Sequence, residues 1–268
     1  MSELQVLLAT RKQQDFSIAE QMNITCDAVI ANQADRDECL RLETAAGIWE
    51  MITTKTVGVG LNRNIGLQAA GAELVLFADD DVHYNDDMPQ AVISAFRENP
   101  RADVIIFGMD IVTGGVVTEK RHLKSKRLHL INALRFGTYV IAARREALER
   151  HHIRFHEMFG GGCPFSAGED SLFLKACFDH KLRVYAHPYV LGTCRKDTSS
   201  WFTGYHEKYF YDKGVLLRCL FPKIHYLTAP YFAFRFKRTT QIPAMRRLKL
   251  ILAGIRGGKT MRPYEEKA

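Results

Sequence analysis

The sequence predicts an α/β fold built around a mostly parallel sheet. Short apolar runs at residues 5–9, 28–31, 48–53 and 74–78 have the length of buried strands, and amphipathic segments separate them. One of these runs, Leu74-Val75-Leu76-Phe77-Ala78, ends abruptly in Asp79-Asp80-Asp81. Strand-length runs alternating with helix-length segments are the pattern of βαβ units.

The elements follow in order. Residues 62–72 read as a helix ended by Gly71, and 87–99 as one ended by Asn99-Pro100, because glycine and an X-Pro step both stop helices. A strand over 104–108 comes next, and then a basic stretch, 119–129, without a clear period. The pattern recovers in an apolar run at 138–143, helices near 145–151 and 166–180, and a strand over 184–186. Beyond Leu191 it reads as aromatic and basic helices without strand signals.

With 268 residues, 47% of them hydrophobic, the chain can bury a substantial core, and disorder is excluded as a description. The first apolar run, residues 4–9, is too short and wrongly flanked for a signal peptide, so a cytoplasmic protein is expected. No run of 18 or more apolar residues exists to cross a bilayer. Six cysteines lie scattered without a CxxC pair, which argues against a zinc cluster or disulfide framework and for small buried side chains. The net charge of +7 is concentrated in residues 221–268, where eleven Lys and Arg face only Glu265 and Glu266.

Three adjacent carboxylates at a strand end repel one another and desolvate poorly, so a fold that holds them there usually supplies a cation. Mg²⁺ or Mn²⁺ bridging to phosphate oxygens is the natural candidate, and ligands of open α/β sheets gather at such strand ends. A solvated acidic turn is the alternative. Upstream of the strand stands Asn62-Arg63-Asn64-Ile65-Gly66-Leu67. This pair of motifs resembles the donor site of the nucleotide-sugar-dependent glycosyltransferases of family 2, which have the GT-A fold.

The resemblance implies that Asp79, Asp80 and Asp81 surround a divalent metal and the ribose, with Asp81 and then Asp79 as metal ligands and Arg63 holding the nucleotide. It places Thr10, at the end of strand one, and Asp35, after strand two, against the nucleotide, with Gln33 beside them. The first loop departs from the family in lacking its Pro-containing, tyrosine-bearing turn. For Asp35 the other reading is an ordinary helix cap before residues 36–42.

A second site is suggested by Phe159-Gly160-Gly161-Gly162-Cys163-Pro164 leading into Gly168-Glu169-Asp170. A sugar hydroxyl is a poor nucleophile and needs a carboxylate to take its proton. Gly-Glu-Asp before an apolar helix also resembles the family's acceptor motif, which makes Asp170 the expected base and Glu169 its alternate. The alternative is that both merely complement a helix dipole. A P-loop is excluded because the glycine run lacks GK[ST]. Trp201, in an aromatic stretch, is a candidate platform for an acceptor sugar. His83 and His187 could complete a metal shell, although isolated histidines are more often ordinary surface or core residues.

In the tail, cations at 235–249 interleave with Phe232, Phe234 and Phe236 and with Leu248, Leu250, Ile251 and Leu252, as in interfacial helices. Peripheral contact with the anionic inner face of the cell membrane is therefore expected, with a simply solvated face as the alternative; nucleic acid is not expected, since no recognition motif accompanies the charge.

The reading is a metal-dependent hexosyltransferase, and the resemblance implies that it is inverting. It would move sugar from a nucleotide-diphosphate sugar to a glycan or lipid-linked glycan, and the resemblance implies a place in bacterial capsule, exopolysaccharide or lipopolysaccharide assembly. A donor half at 1–110, an acceptor half at 111–213 and a basic helical extension at 214–268 complete the expectation. A metal-dependent sugar nucleotidyltransferase and a non-catalytic, membrane-associated carbohydrate-binding subunit stay open as alternatives.

Overall fold

The computed structural model describes residues 2–196, 204–236 and 240–265. Its strands are β1 (Leu4–Arg11), β2 (Asp27–Gln33), β3 (Glu38–Thr44), β4 (Gly47–Thr54), β5 (Leu74–Asp79) and β6 (Val82–Tyr84). They continue as β7 (Val104–Thr113), β8 (Val116–Arg121), β9 (Lys126–Arg127), β10 (Ile141–Arg144) and β11 (Val184–Arg195). Together they form one sheet of order β3-β4-β2-β1-β5-β10-β7-β11-β6, with β8 paired to β7 and β9 to β11. β4, β2, β1 and β5 are mutually parallel; β10 runs against both its neighbours, and β11 runs parallel to β7. Along the main path only β3, β10 and β6 oppose the common direction, so the sheet is mixed and mostly parallel.

Helices α1 (Ser17–Gln21), α2 (Val59–Ala69), α3 (Met88–Glu98), α4 (Leu130–Ala133), α5 (Arg145–Arg150) and α6 (Glu169–Asp179) flank the sheet. The buried runs of β1, β2 and β5 have no polar alternation because both faces of the central sheet are covered. Val6, Ile30, Leu76, Phe77, Ile106, Leu148 and Leu174 belong to the resulting single core. Among the described residues all six cysteines are free; Cys26, Cys177 and Cys194 are buried and Cys39 is exposed.

Three segments differ from the sequence reading. The capped helix that is the alternative over residues 36–42 does not form: Glu38–Thr44 is the edge strand β3, about half of whose side chains face solvent and so leave little apolar period to read. The stretch beyond Leu191 is not strand-free: β11 continues to Arg195, past Pro188, through two register shifts that keep it beside β7. The helix expected from 166 starts only at Glu169, because Gly168 holds φ +127, a conformation a helix cannot use.

The chain ends in α7 (Glu207–Leu220), α8 (His225–Arg235) and α9 (Ala244–Gly257). Residue 213, where the sequence reading divides the chain, lies inside α7. One face of α7 packs Tyr211, Val215 and Leu216 on Phe159 and Phe165; Phe210 and Leu217 join Ala229, Ala233, Leu250 and Ile251 of α8 and α9. α7 and α9 cross at glycines. A Cβ on Gly254 would stand 1.9 Å from the Tyr211 carbonyl oxygen, and one on Gly214 2.1 Å from that of Ile251. Gly254→Ala should therefore force the helices apart, at a cost of about 1–3 kcal/mol. Thermal unfolding measures this, and an unchanged midpoint would contradict the close crossing.

Candidate active site

β1 and β5 are neighbours with Ala9 opposite Asp79, so Thr10 and the carboxylate run leave the sheet side by side. Asp79 is the last residue of β5, and Asp80 and Asp81 make the turn into β6. Thr10 Oγ1 donates to Asp80 Oδ2 at 2.6 Å and accepts from Gln13 Nε2 at 3.0 Å. On α2, the Asn62 amide donates to the carbonyls of Ala31 (2.8 Å) and Thr10 (3.1 Å), clamping the ends of β2 and β1 together.

Arg63 is the centre of the site. It is only 5% exposed, and its guanidinium meets Asp79 Oδ1 at 2.6 Å, Glu169 Oε1 at 3.1 Å and Asp170 Oδ1 at 3.5 Å. It also lies 5.4 Å from the centre of the Phe155 ring. Asn64 fixes that ring's backbone in both directions, donating to the Phe155 carbonyl (3.0 Å) and accepting from its N–H (2.8 Å). Burial alone would ease a proton off Arg63, but the charges of Asp79, Asp170 and Glu169 outweigh it and hold the proton more firmly.

The glycine-rich loop closes the opposite wall, where the Gly161 carbonyl accepts from the Val59 N–H at 3.0 Å. Glu169 Oε2 accepts from the Gly168 N–H at 3.0 Å, so this carboxylate caps the start of α6 as well as facing Arg63. Asp170 Oδ1 accepts a short hydrogen bond from the hydroxyl of Thr138, a fully buried residue in the 3-10 turn Thr138–Val140 that leads into β10. Burial first, then the adjacent charge of Glu169, pushes the Asp170 carboxyl well above the usual carboxylate range, while Arg63 and Thr138 pull the other way.

Asp81 is a different case. Its Oδ1 is buried without a hydrogen-bond partner among the described residues. Burial and the charge of Asp79 raise its pKa to about 6, opposed by a side-chain hydrogen bond with Cys194. A carboxyl raised in the fold adds stability that is present below its unfolded value and is lost as pH rises through about 6. At pH ~8 the ionised Asp81 is therefore a strain on the fold, and Asp81→Asn should raise the melting temperature by about 2–4 °C for each kcal/mol recovered. The gain should vanish near pH ~4, where both forms are neutral. Melting curves at the two pH values check this, and a loss of stability at the higher pH would contradict it.

Thr10, Arg63, Asp79, Asp80, Asp81, Glu169 and Asp170 all line one cleft of about 600 Å³, together with Gln33, Asn62, Ser166, His206 and Tyr209. Asp35 does not line it; its side chain is exposed beyond the end of β2, and Gln33 faces the cleft instead. Trp201 lies outside the described residues. His83 pairs with the Gln21 carbonyl at 2.9 Å, and His187 stands 3.8 Å from Glu98; neither lines the cleft. Among the described residues no three His, Cys, Asp or Glu side chains converge as a closed metal site. Sequence reasoning missed Thr138, a lone threonine at the start of an apolar run, and Phe155 and Cys194, whose roles arise only from long-range packing.

The model of the family described as glycosyl transferase family 2 matches residues 16–174, more than half of the chain. The chain belongs to glycosyl transferase family 2. The matched span holds Arg63, Asp79, Asp80, Asp81, Glu169 and Asp170, and leaves the helices α7 to α9 of this family 2 chain outside it. The fold is also that of S. aureus TarS. A TarS 1-349 crystal structure in complex with UDP-GlcNAc superposes with a TM-score of 0.61 at 16% identity, covering 97% of this chain and 73% of that one. The same protein in complex with UDP gives 0.60 at 15% identity, covering 96% and 72%. A longer TarS structure gives 0.61 at 18%, covering 88% of this chain and 44% of that one. These likenesses show a GT-A fold. No curated protein matches the chain.

Proposed function

We propose that this family 2 protein is an inverting glycosyltransferase that moves a sugar from a nucleotide-diphosphate sugar to a hydroxyl of a glycan or lipid-linked glycan in bacterial surface polysaccharide assembly. One observation carries the reading: Arg63 bridges Asp79 on one wall of the cleft to Glu169 and Asp170 on the other. A run of donor-side carboxylates and a half-buried carboxylate of raised pKa thus share one volume, as direct displacement needs. The family membership and the binding of UDP-GlcNAc and UDP by TarS agree with such a donor.

In this reading Thr10, Gln33 and Asp80 stand at the nucleotide side, and Asp170 takes the proton from the acceptor hydroxyl as it attacks the anomeric carbon from the face opposite the leaving diphosphate. Its raised pKa suits a base working near neutrality, and Glu169 positions the acceptor end. Asp81 and Asp79 would hold a Mg²⁺ or Mn²⁺ ion. The partnerless Asp81 Oδ1 fits a hard cation that takes one or two carboxylates and completes its shell with substrate phosphates, rather than a closed protein cage. When bound, such an ion supplies positive charge to the departing diphosphate.

The test is a screen of sugar nucleotides with Mg²⁺ or Mn²⁺ for release of nucleoside diphosphate and for thermal stabilisation. A nucleoside diphosphate product from at least one donor is expected. Release of a nucleoside triphosphate from a sugar nucleotide and pyrophosphate would instead establish a nucleotidyltransferase.

A further inference from the structure

The tail's apolar residues are distributed differently from the sequence reading. Leu250 and Ile251 of α9 are buried, and Leu248 and Leu252 pack against the same cluster, so that helix turns its apolar face inward. Among the described residues of the tail, Met245 at the start of α9 is exposed, but the large apolar side chains that form a continuous stripe in solvent lie on α8. Leu227 is 79% exposed, Tyr231 59% and Phe234 53%, at positions i, i+4 and i+7 of one helix face, and Ile224, 48% exposed, extends that stripe by a turn. The fully buried part of the inner stripe is small, Ala229 and Ala233 against α7 and α9, with Phe232 partly buried beside them. An ordinary surface helix has the reverse arrangement, with large apolar residues inward and polar ones outward.

Charge names the occupant. Between Asp212 and Glu265 the chain contains no Asp or Glu, while twelve Lys and Arg fall in that span. Lys223 precedes the apolar stripe and Arg235 ends it, both exposed, with Arg235 Nη1 donating to the Tyr231 hydroxyl at 2.9 Å. Aromatic and leucine side chains bordered by cations, on a helix far too short to span a bilayer, match the surface of an anionic membrane. A protein partner of equal chemistry would need an acidic groove with an apolar floor, whereas an anionic bilayer offers both layers without special shaping.

We propose that α8 docks this protein on an anionic lipid surface through Leu227, Tyr231 and Phe234, with Lys223 and Arg235 at the headgroups. The site is near by. Tyr209, which lines the cleft, stands 5.7 Å from Phe236 at the end of α8, and the Lys213 ammonium lies 5.5 Å from the Tyr209 ring and 5.9 Å from that of Phe232. The docked face therefore brings a cleft-lining element to the lipid surface, which deepens the proposed function by favouring an acceptor carried on a lipid; that last step rests on the glycosyltransferase reading, whereas the docking does not.

The experiment is sedimentation of the full chain with vesicles of equal parts phosphatidylglycerol and phosphatidylcholine, against pure phosphatidylcholine. The wild type should bind the anionic vesicles and lose binding as salt is raised. The double variant Leu227→Ser/Phe234→Ser should bind about tenfold less or weaker still, while its melting temperature and its donor hydrolysis without vesicles match the wild type. Equal binding by wild type and variant would overturn the proposal, as would no binding by the wild type. So would a concentration-dependent dimer, seen by light scattering and abolished in the variant, if vesicles do not bind. Donor hydrolysis is scored separately, so failure of the enzymatic reading leaves a distinct result.

Discussion

Arg63→Met should destabilise the protein by about 3–5 kcal/mol, a large part of the ~5–15 kcal/mol that holds a typical fold together. The guanidinium is almost fully buried, and it is the cation common to Asp79, Glu169 and Asp170, whose side chains are 30%, 12% and 31% exposed. Removing it leaves three carboxylates in one partly desolvated volume. Methionine keeps an apolar contact with Phe155, so the loss reads out charge rather than packing. Acid should rescue the variant. Without Arg63 the Asp170 carboxyl rises further, and stability held by its protonated form is present at low pH and lost as pH rises through the new value. Melting curves from pH ~4 to ~8 should diverge from wild type as pH increases. Parallel curves, or a wild-type midpoint at neutral pH, would show that Arg63 is not the hub.

Asp170→Asn should lower transfer by about 10²–10⁴-fold, the usual worth of a positioned base, with donor affinity little changed. The substitution is nearly isosteric, and the amide oxygen can still accept the Thr138 hydroxyl. Because ionised Asp170 is held against burial and the charge of Glu169, the variant should melt no lower than the wild type. The pH dependence adds a check: for the wild type, kcat/KM should fall on an acid limb lying above the ordinary carboxylate range, since the base must be ionised. Transfer at a near wild-type rate would move the base role to Glu169 or elsewhere.

The fold was readable where both faces of a strand are buried. β1, β2 and β5 are unbroken apolar runs, and the end of β5 announced itself because apolar residues give way to carboxylates within one step. Legibility failed at the margins of the sheet. β3 is half exposed, and β8 is solvent-facing almost throughout, so neither carries the apolar signal of a strand. β11 holds Pro188 and two irregularities, each of which normally argues against a strand.

The site divides similarly. Arg63, the aspartate run and Glu169-Asp170 stand in local motifs with chemistry written into residue type. Thr138 reaches Asp170 across 32 positions and Asn64 reaches Phe155 across 91, contacts no local pattern encodes. Gln33 and Asp35 differ in which faces the cleft because the strand β2 ends at Gln33, leaving Asp35 on the exposed connection to β3.

The amide of Asn62 bears on the thermodynamics of any ligand that enters the cleft. By holding the carbonyls of Thr10 and Ala31, it immobilises the two strand ends that carry Thr10 and Gln33 before anything arrives. A strand end left to water would have to be ordered at the moment of association, with the entropy loss subtracted from affinity. Here that ordering belongs to folding, and the rim of the cleft at β1 and β2 meets its ligand as a fixed template.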